Sequence, residues 1–218
     1  MRCLKTFPLI ALALPLLTAC HKEHLHGSGQ IITQERDLPP FTNVLIQGPV
    51  KANIHYGATQ EVTVRTDVVA INALWTTVSN NTLLLDVDGG NTYQHITFEV
   101  DIQLPALDRL THEGASNATV SGFENTDALE VVHHGAGNIT LDGSTADLHI
   151  THDGVGKVRA FDMIADTCHV DHSGVGNIEV TVLDRLEAHL SGVGNLYYQG
   201  SPQVDAIVTG VGHLIHVD

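Results

Sequence analysis

Between residues 114 and 214 one short phrase recurs: Gly135-Ala-Gly-Asn-Ile139, Gly154-Val-Gly-Lys-Val158, Gly174-Val-Gly-Asn-Ile178, Gly192-Val-Gly-Asn-Leu196 and Gly210-Val-Gly-His-Leu214, after a degenerate copy at Gly114-Ala-Ser-Asn-Ala118. Successive first glycines lie 21, 19, 20, 18 and 18 residues apart. A period near twenty, kept over six copies, marks a chain that stacks one small unit on the next, because a single unit cannot bury its own apolar face.

The residues between the phrases alternate. Val50, Ala52, Ile54 and Tyr56 share one parity and Lys51, Asn53 and His55 the other, and Ile96-x-Phe98-x-Val100-x-Ile102-x-Leu104 repeats the pattern. Successive side chains of a strand point to opposite faces, so these are half-buried strands. No window of a dozen residues carries a helical period, although Val68 to Thr77 has room for one short helical turn.

Aligned on the first glycine, the copies assign each position a job. Four residues before it stand Leu110, Val131, Ile150, Val170, Ala188 and Ala206; four after it stand Ala118, Ile139, Val158, Ile178, Leu196 and Leu214. Those positions are expected in the core, with Thr151, Asp171, Arg159 and Glu179 facing water. Gly135, Gly137, Gly154, Gly156, Gly174, Gly176, Gly192, Gly194, Gly210 and Gly212 are read as corner residues, where small size permits close stacking and positive φ.

The resulting expectation is an all-β chain, a right-handed parallel β-helix or β-solenoid with 18–21 residues per coil. An antiparallel sandwich or barrel also fits the spacing of the turns.

The N-terminus reads as an address. Arg2 and Lys5 precede an apolar run from Phe7 to Leu17 that is too short to span a bilayer. Leu17-Thr18-Ala19-Cys20 is similar to a lipobox, which implies cleavage before Cys20 and acylation of that residue with diacylglycerol and a further chain such as palmitate. An ordinary secretory signal with an incidental cysteine is the plainer alternative. His21 at the second mature position resembles outer-membrane sorting.

The organisation expected is therefore a signal peptide at 1–19, a lipidated cysteine and flexible tether at 20–30, and a β-solenoid at 31–218. The protein would be held on the membrane through Cys20, facing the periplasm or the cell surface. Cys3 leaves with the signal and Cys20 takes lipid, so Cys168 has no disulfide partner.

The chain has 25 acidic and 10 basic residues, a net charge of −15, and loss of Arg2 and Lys5 with the signal makes it more negative. Such a surface repels phosphate backbones and excludes nucleic acid as a natural partner, leaving a protein or glycan ligand.

From about Asp37 onward the sequence resembles the autotransporter-adhesin head GIN domain family. The resemblance rests on Pro40-Phe41-Thr-Asn-Val44-Leu-Ile46-Gln-Gly48-Pro-Val50-Lys-Ala-Asn-Ile54, on Glu61-Val-Thr-Val64 and Asn81-Thr-Leu83-Leu-Leu85, and on the Ser-Gly-x-Gly-Asn corners at Ser173 and Ser191. It implies a β-helical architecture and no established enzymatic activity.

One departure from that family pattern stands out. Two positions before the first corner glycine, where the family has an aliphatic residue, this chain has His112, His133, His152 and His172, returning to Leu190 and Val208. They hold core parity, so stacked coils would place them on consecutive rungs as a histidine ladder. Two neighbouring imidazoles there could share a zinc or copper ion. With no carboxylate or thiolate at the same parity, a structural ladder is the favoured reading. Burial and mutual repulsion would depress their pKa values, so stability should fall as the pH drops through about 6.5.

A second set, His21, His24 and His26, lies on the tether with Glu23 and could scavenge transition metals, although its spacing fits no closed zinc motif. His149 and His169 are expected to face outward near Asp171, with His134 and Asp153 adding to a solvated patch.

Catalytic centres find little support. His172-Ser173 and His152-Asp153 are adjacent, so strand geometry sends their side chains to opposite faces. There is no Gly-x-Ser-x-Gly elbow, His-Glu-x-x-His helix or Walker loop. The repeats contain only Lys157, Arg159 and Arg185 as basic residues, too few for the lyase chemistry found on some parallel β-helices.

The leading expectation is a non-enzymatic envelope lipoprotein, an adhesin or scaffold. The alternative is a metal-binding or pH-responsive lipoprotein using the histidines. A homo-oligomer is possible, since an open end of the stack offers an unpaired edge to another copy.

Overall fold

The computed structural model describes residues 23–218. The described chain is all-β apart from a single 3-10 turn at Val68–Ala70, and fifteen of its strands join one hydrogen-bonded network.

The second half follows from the repeat. Strands Ala118–His133, Ile139–His152, Val158–His172 and Ile178–Leu190 pair in parallel, each with the next. The register matches equivalent offsets: Leu110 with Val131, Val131 with Ile150, Ile150 with Val170, and Val170 with Ala188. This parallel pairing overturns the antiparallel sandwich for the repeats. Bulges interrupt each pairing, between Val120 and Phe123 and between Ala160 and Ile164 for example, where the chain bends within a long strand.

Aliphatic columns run along the inside. Leu110, Val131, Ile150, Val170 and Ala188 are buried, as are Ala118, Ile139, Val158, Ile178 and Leu196. Truncating a buried leucine or isoleucine in such a core costs about 2–5 kcal/mol.

Corners stack as closely as the interior. Ala115, Ala136, Val155, Val175, Val193 and Val211 are joined by successive parallel bridges. Gly156 shows why glycine is required: its φ is +141°, and a Cβ there would overlap the carbonyl oxygen of Gly137 on the preceding rung. Gly154 has an ordinary φ, and its Cβ would strike the carbonyl of Gly135.

The first half begins the stack and then closes it off. Asn43–Ile46 lies parallel between Arg109–His112 and Thr82–Val87, and Val50–Tyr56 lies parallel between Ala118–His133 and Phe98–Leu104. Beyond these, pairing turns antiparallel: Leu74–Ser79 on Thr82–Val87, Glu61–Asp67 on Phe98–Leu104, and Ile31–Glu35 on Glu61–Asp67. Asn80 and Asn81, at φ 49° and 62°, make the two-residue turn of the first pair.

The expected flexible tether is corrected in part. Glu23–His26 is a strand, parallel to Asn91–Gln94, and the Gly27 amide donates to the Gln94 carbonyl at 2.9 Å. Buried Asp67 pins the next two residues, accepting from Ser28 Oγ at 2.9 Å and the Gly29 amide at 2.7 Å. A segment without apolar periodicity is ordered here because backbone hydrogen bonds to a free edge do not depend on side-chain pattern.

The far end differs from the core expected there. Gln203–Val208 pairs with Arg185–Leu190, yet all six of its residues are exposed, Ala206 among them, and Leu214 is only half-buried. No described strand covers this last rung.

Candidate functional site

Three features of the stack carry chemistry: an inward column of histidines, an outward cluster of histidines and carboxylates, and the corner face between them.

The inward column reads Ile46, His112, His133, His152, His172 and Leu190 in direct register, so an aliphatic residue stands at each end of four imidazoles. All four are at most 1% exposed, and successive ring centroids are 5.1, 4.8 and 4.8 Å apart. The structure therefore brings His112, His133, His152 and His172 together inside the stack.

Hydrogen bonds set three tautomers. His172 Nδ1 lies 3.3 Å from the His152 carbonyl and 2.8 Å from His152 Nδ1. A carbonyl only accepts, so His172 donates from Nδ1 and His152 Nδ1 accepts. Ser116 Oγ gives its proton to the Val50 carbonyl at 2.6 Å, so His112 Nε2, 3.3 Å away, donates to that hydroxyl. Both nitrogens of His133 lack a partner.

Protonation is disfavoured at His112, His133 and His152. Burial, then the neighbouring imidazoles His152 and His112, pushes the His133 pKa down to about 3; burial and His172 push His152 down to about 4. Burial also lowers His112, against an opposing hydrogen bond at Ser116.

Outside the same strands lies a second set. Asp147 and His149 are two apart and share a face, and His149 pairs in register with His169 on the next rung, their rings stacked at 4.5 Å and 11°. His149 Nε2 is 2.9 Å from Asp147 Oδ2, and His169 Nε2 is 3.7 Å from Asp147 Oδ1. His169 Nδ1 meets Glu187 Oε2 at 2.9 Å, and Glu187 is held in turn by Arg185. Those bonds hold the Glu187 carboxyl below its usual range, the Arg185 hydrogen bond most of all.

Asp171, expected near these histidines, shares the outward face of its strand with His169 and lies 3.8 Å from His189, while the carboxylate that meets both His149 and His169 is Asp147. The parity of Asp147 and His149 is visible in sequence, as is the alignment of His149, His169 and Glu187 five residues before successive corner glycines; that the Asp147 carboxylate reaches both imidazoles is not. His134 Nδ1 and the Asp153 carboxylate form a separate hydrogen-bonded pair on the corner side.

His24 and His26 are exposed on the Glu23–His26 strand, where the His26 ring lies 4.8 Å from that of His95. Cys20, His21 and the signal peptide lie outside the described residues. Cys168 is fully buried, and burial pushes its thiol well above the ordinary value.

At the corners, asparagines satisfy the backbone. Asn117 Oδ1 accepts from the Asn138 amide at 2.8 Å, Asn138 from Lys157 at 3.1 Å, Asn177 from Asn195 at 2.9 Å, and Asn195 from His213 at 2.9 Å. Beside them the residue between the two glycines faces water: Val155, Val175, Val193 and Val211 are 58, 50, 50 and 73% exposed. Sequence reading missed this ridge, whose signal is the aliphatic residue between glycines that serve only the backbone.

Comparison with known proteins covers the opening strands and most of the corners. The family described as "Putative auto-transporter adhesin, head GIN domain" matches residues 40–202. The chain belongs to this family. Among solved structures, the head GIN chain is similar to a putative adhesin from Bacteroides fragilis, at 18% identity and a TM-score of 0.75, over 88% of this chain and 100% of that one. A putative adhesin from Parabacteroides distasonis shares 20% identity at a TM-score of 0.55, over 89% and 100% of the two chains. A protein from the same species, titled putative lipid binding protein, shares 17% at 0.50, over 90% and 100%. At these identities the likeness shows the fold alone. No curated protein matches the chain.

Proposed function

We propose that this head GIN protein is a non-enzymatic cell-envelope lipoprotein, anchored through Cys20, whose right-handed β-solenoid presents its corner face to a protein or glycan partner as an adhesin or scaffold. The observation that carries the reading is the ridge Ala115, Ala136, Val155, Val175, Val193 and Val211, a line of apolar side chains held in water on successive rungs. Packing does not explain valines there, since the glycines on either side already make the corner. Exposed contiguous apolar surface on a rigid frame is the usual mark of a binding face. Parallel coils joined by strand crossovers favour the right hand.

The histidines next to nucleophiles support the non-enzymatic part. His172 is buried while Ser173 is exposed, and His152 is buried while Asp153 is exposed, so neither pair can work together.

The test is binding by whole cells carrying the full-length protein to arrays of envelope proteins, matrix proteins and glycans. Replacing Val155, Val175 and Val193 by Ser should reduce binding at least tenfold with the fold unchanged by circular dichroism. Retention of full binding would contradict the reading. A Cys20→Ser variant should leave the membrane fraction.

A further inference from the structure

We propose that Asp147, His149 and His169 form a surface site for a divalent transition-metal ion of zinc type, with Glu187 as the group that orients His169. One ligand atom from each of the three residues lies within 4.8 Å of the other two. Ligand atoms around tetrahedral zinc, each bound at about 2.0–2.2 Å, stand roughly 3.3 Å apart. The separations of 2.9 Å from Asp147 Oδ2 to His149 Nε2 and 3.7 Å from Asp147 Oδ1 to His169 Nε2 lie on either side of that spacing.

Two further observations point to a cation. Asp147 Oδ1 is buried from solvent and has no hydrogen-bond partner, although its residue lies at the surface. His169 Nε2 lies 3.7 Å from it, and His169 Nδ1 faces the Glu187 carboxylate at 2.9 Å, where a neutral imidazole keeps its proton. A neutral His169 therefore turns a lone pair toward a carboxylate oxygen, acceptor facing acceptor, and a positive ion between them resolves the conflict.

The Glu187 contact is the arrangement that metal-binding imidazoles use. A carboxylate on the far nitrogen fixes the tautomer, aims the near nitrogen and raises its basicity. Arg185 holds Glu187 in place for that task. His149 currently donates from Nε2 to Asp147; on binding, its proton moves to Nδ1 and Nε2 becomes a ligand. Two imidazoles and one carboxylate leave a fourth position open to water or to a donor from another molecule. The site is separate from the inward column, whose residues point to the other face of the same strands.

The experiment uses the full chain in detergent, stripped with chelator and titrated with ZnCl2 by calorimetry and with CoCl2 by visible absorption. His21, His24 and His26 are replaced by Ser in a parallel sample to separate the N-terminal histidines. One equivalent should bind in both samples, with the intense visible bands of tetrahedral cobalt. His149→Ala, His169→Ala and Asp147→Asn should each weaken binding at least tenfold, and Glu187→Gln by about tenfold, with melting temperatures of the metal-free variants near that of the parent. His133→Val should leave affinity unchanged. Absence of binding, binding that survives loss of both His149 and His169, or binding that vanishes with the N-terminal histidines would each overturn the proposal.

Discussion

His149 and His152 stand three residues apart on one strand and meet opposite conditions. His152 is sealed among imidazoles and aliphatic side chains, with its pKa pushed down to about 4. His149 stacks on His169 in the open, beside Asp147. Both belong to columns made by the same register, so the contrast isolates what the environment does to one side chain. Inside, buried among aliphatic side chains and other imidazoles, the His152 ring is kept neutral and serves packing. Outside, carboxylates on its own and neighbouring rungs prepare it for a cation.

The comparison breaks completely if the rungs lose register. Gly156→Val would force a branched side chain into positive φ and into the Gly137 carbonyl, at an expected cost above about 5 kcal/mol, enough to unfold a domain of ordinary stability. Circular dichroism and limited proteolysis should find no folded protein; a cooperative, near-native melt would show that stacking is looser than described.

Acid sharpens the contrast. With folded pKa values of about 3 and about 4, His133 and His152 bind protons more readily when unfolded. Their stabilising contribution is complete above about 6.5 and is lost as the pH falls toward those lower values. At pH 5 each should account for about 2 kcal/mol of lost stability, roughly 4 together. Denaturant melts at pH 7 and pH 5 measure the loss, and a His133→Val, His152→Val double variant should remove about 4 kcal/mol of it, leaving the smaller share of His112.

Smaller effects belong to the corner and the outer face. Asn177→Ala removes the acceptor for the half-buried Asn195 amide and should cost about 1 kcal/mol, seen also as faster hydrogen exchange at Asn195. His149→Gln in metal-free protein should change stability by under about 0.5 kcal/mol and leave the acid dependence intact. An acid response that disappeared with His149 instead would reverse the roles of the two columns.

Much of this was legible from parity and period. Val131, Ile150 and Val170 could be assigned to the core because a fixed offset in every copy becomes a fixed position in space once copies stack. The four inward histidines follow from the same arithmetic. The antiparallel strands Glu61–Asp67 and Leu74–Ser79 were less legible, since alternation gives a strand its faces but not the direction of its partner. Ala206 fails as a core residue for a local reason: its offset is right, but no further described rung covers it. Asp147 escaped attention because its contact with His169 is diagonal, reaching a residue two positions further along the next rung, whereas an alignment of equivalent offsets pairs Asp147 with Thr167.

The contrast between the two columns is tested most directly by an NMR titration of the full chain with nitrogen-15 in its imidazoles. His133 and His152 should remain neutral at pH 5 while the folded protein persists, their ring shifts unmoved. If both instead titrate near 6.5 without unfolding, the inward column is open to water, and the account of an interior sealed by stacked rungs is wrong.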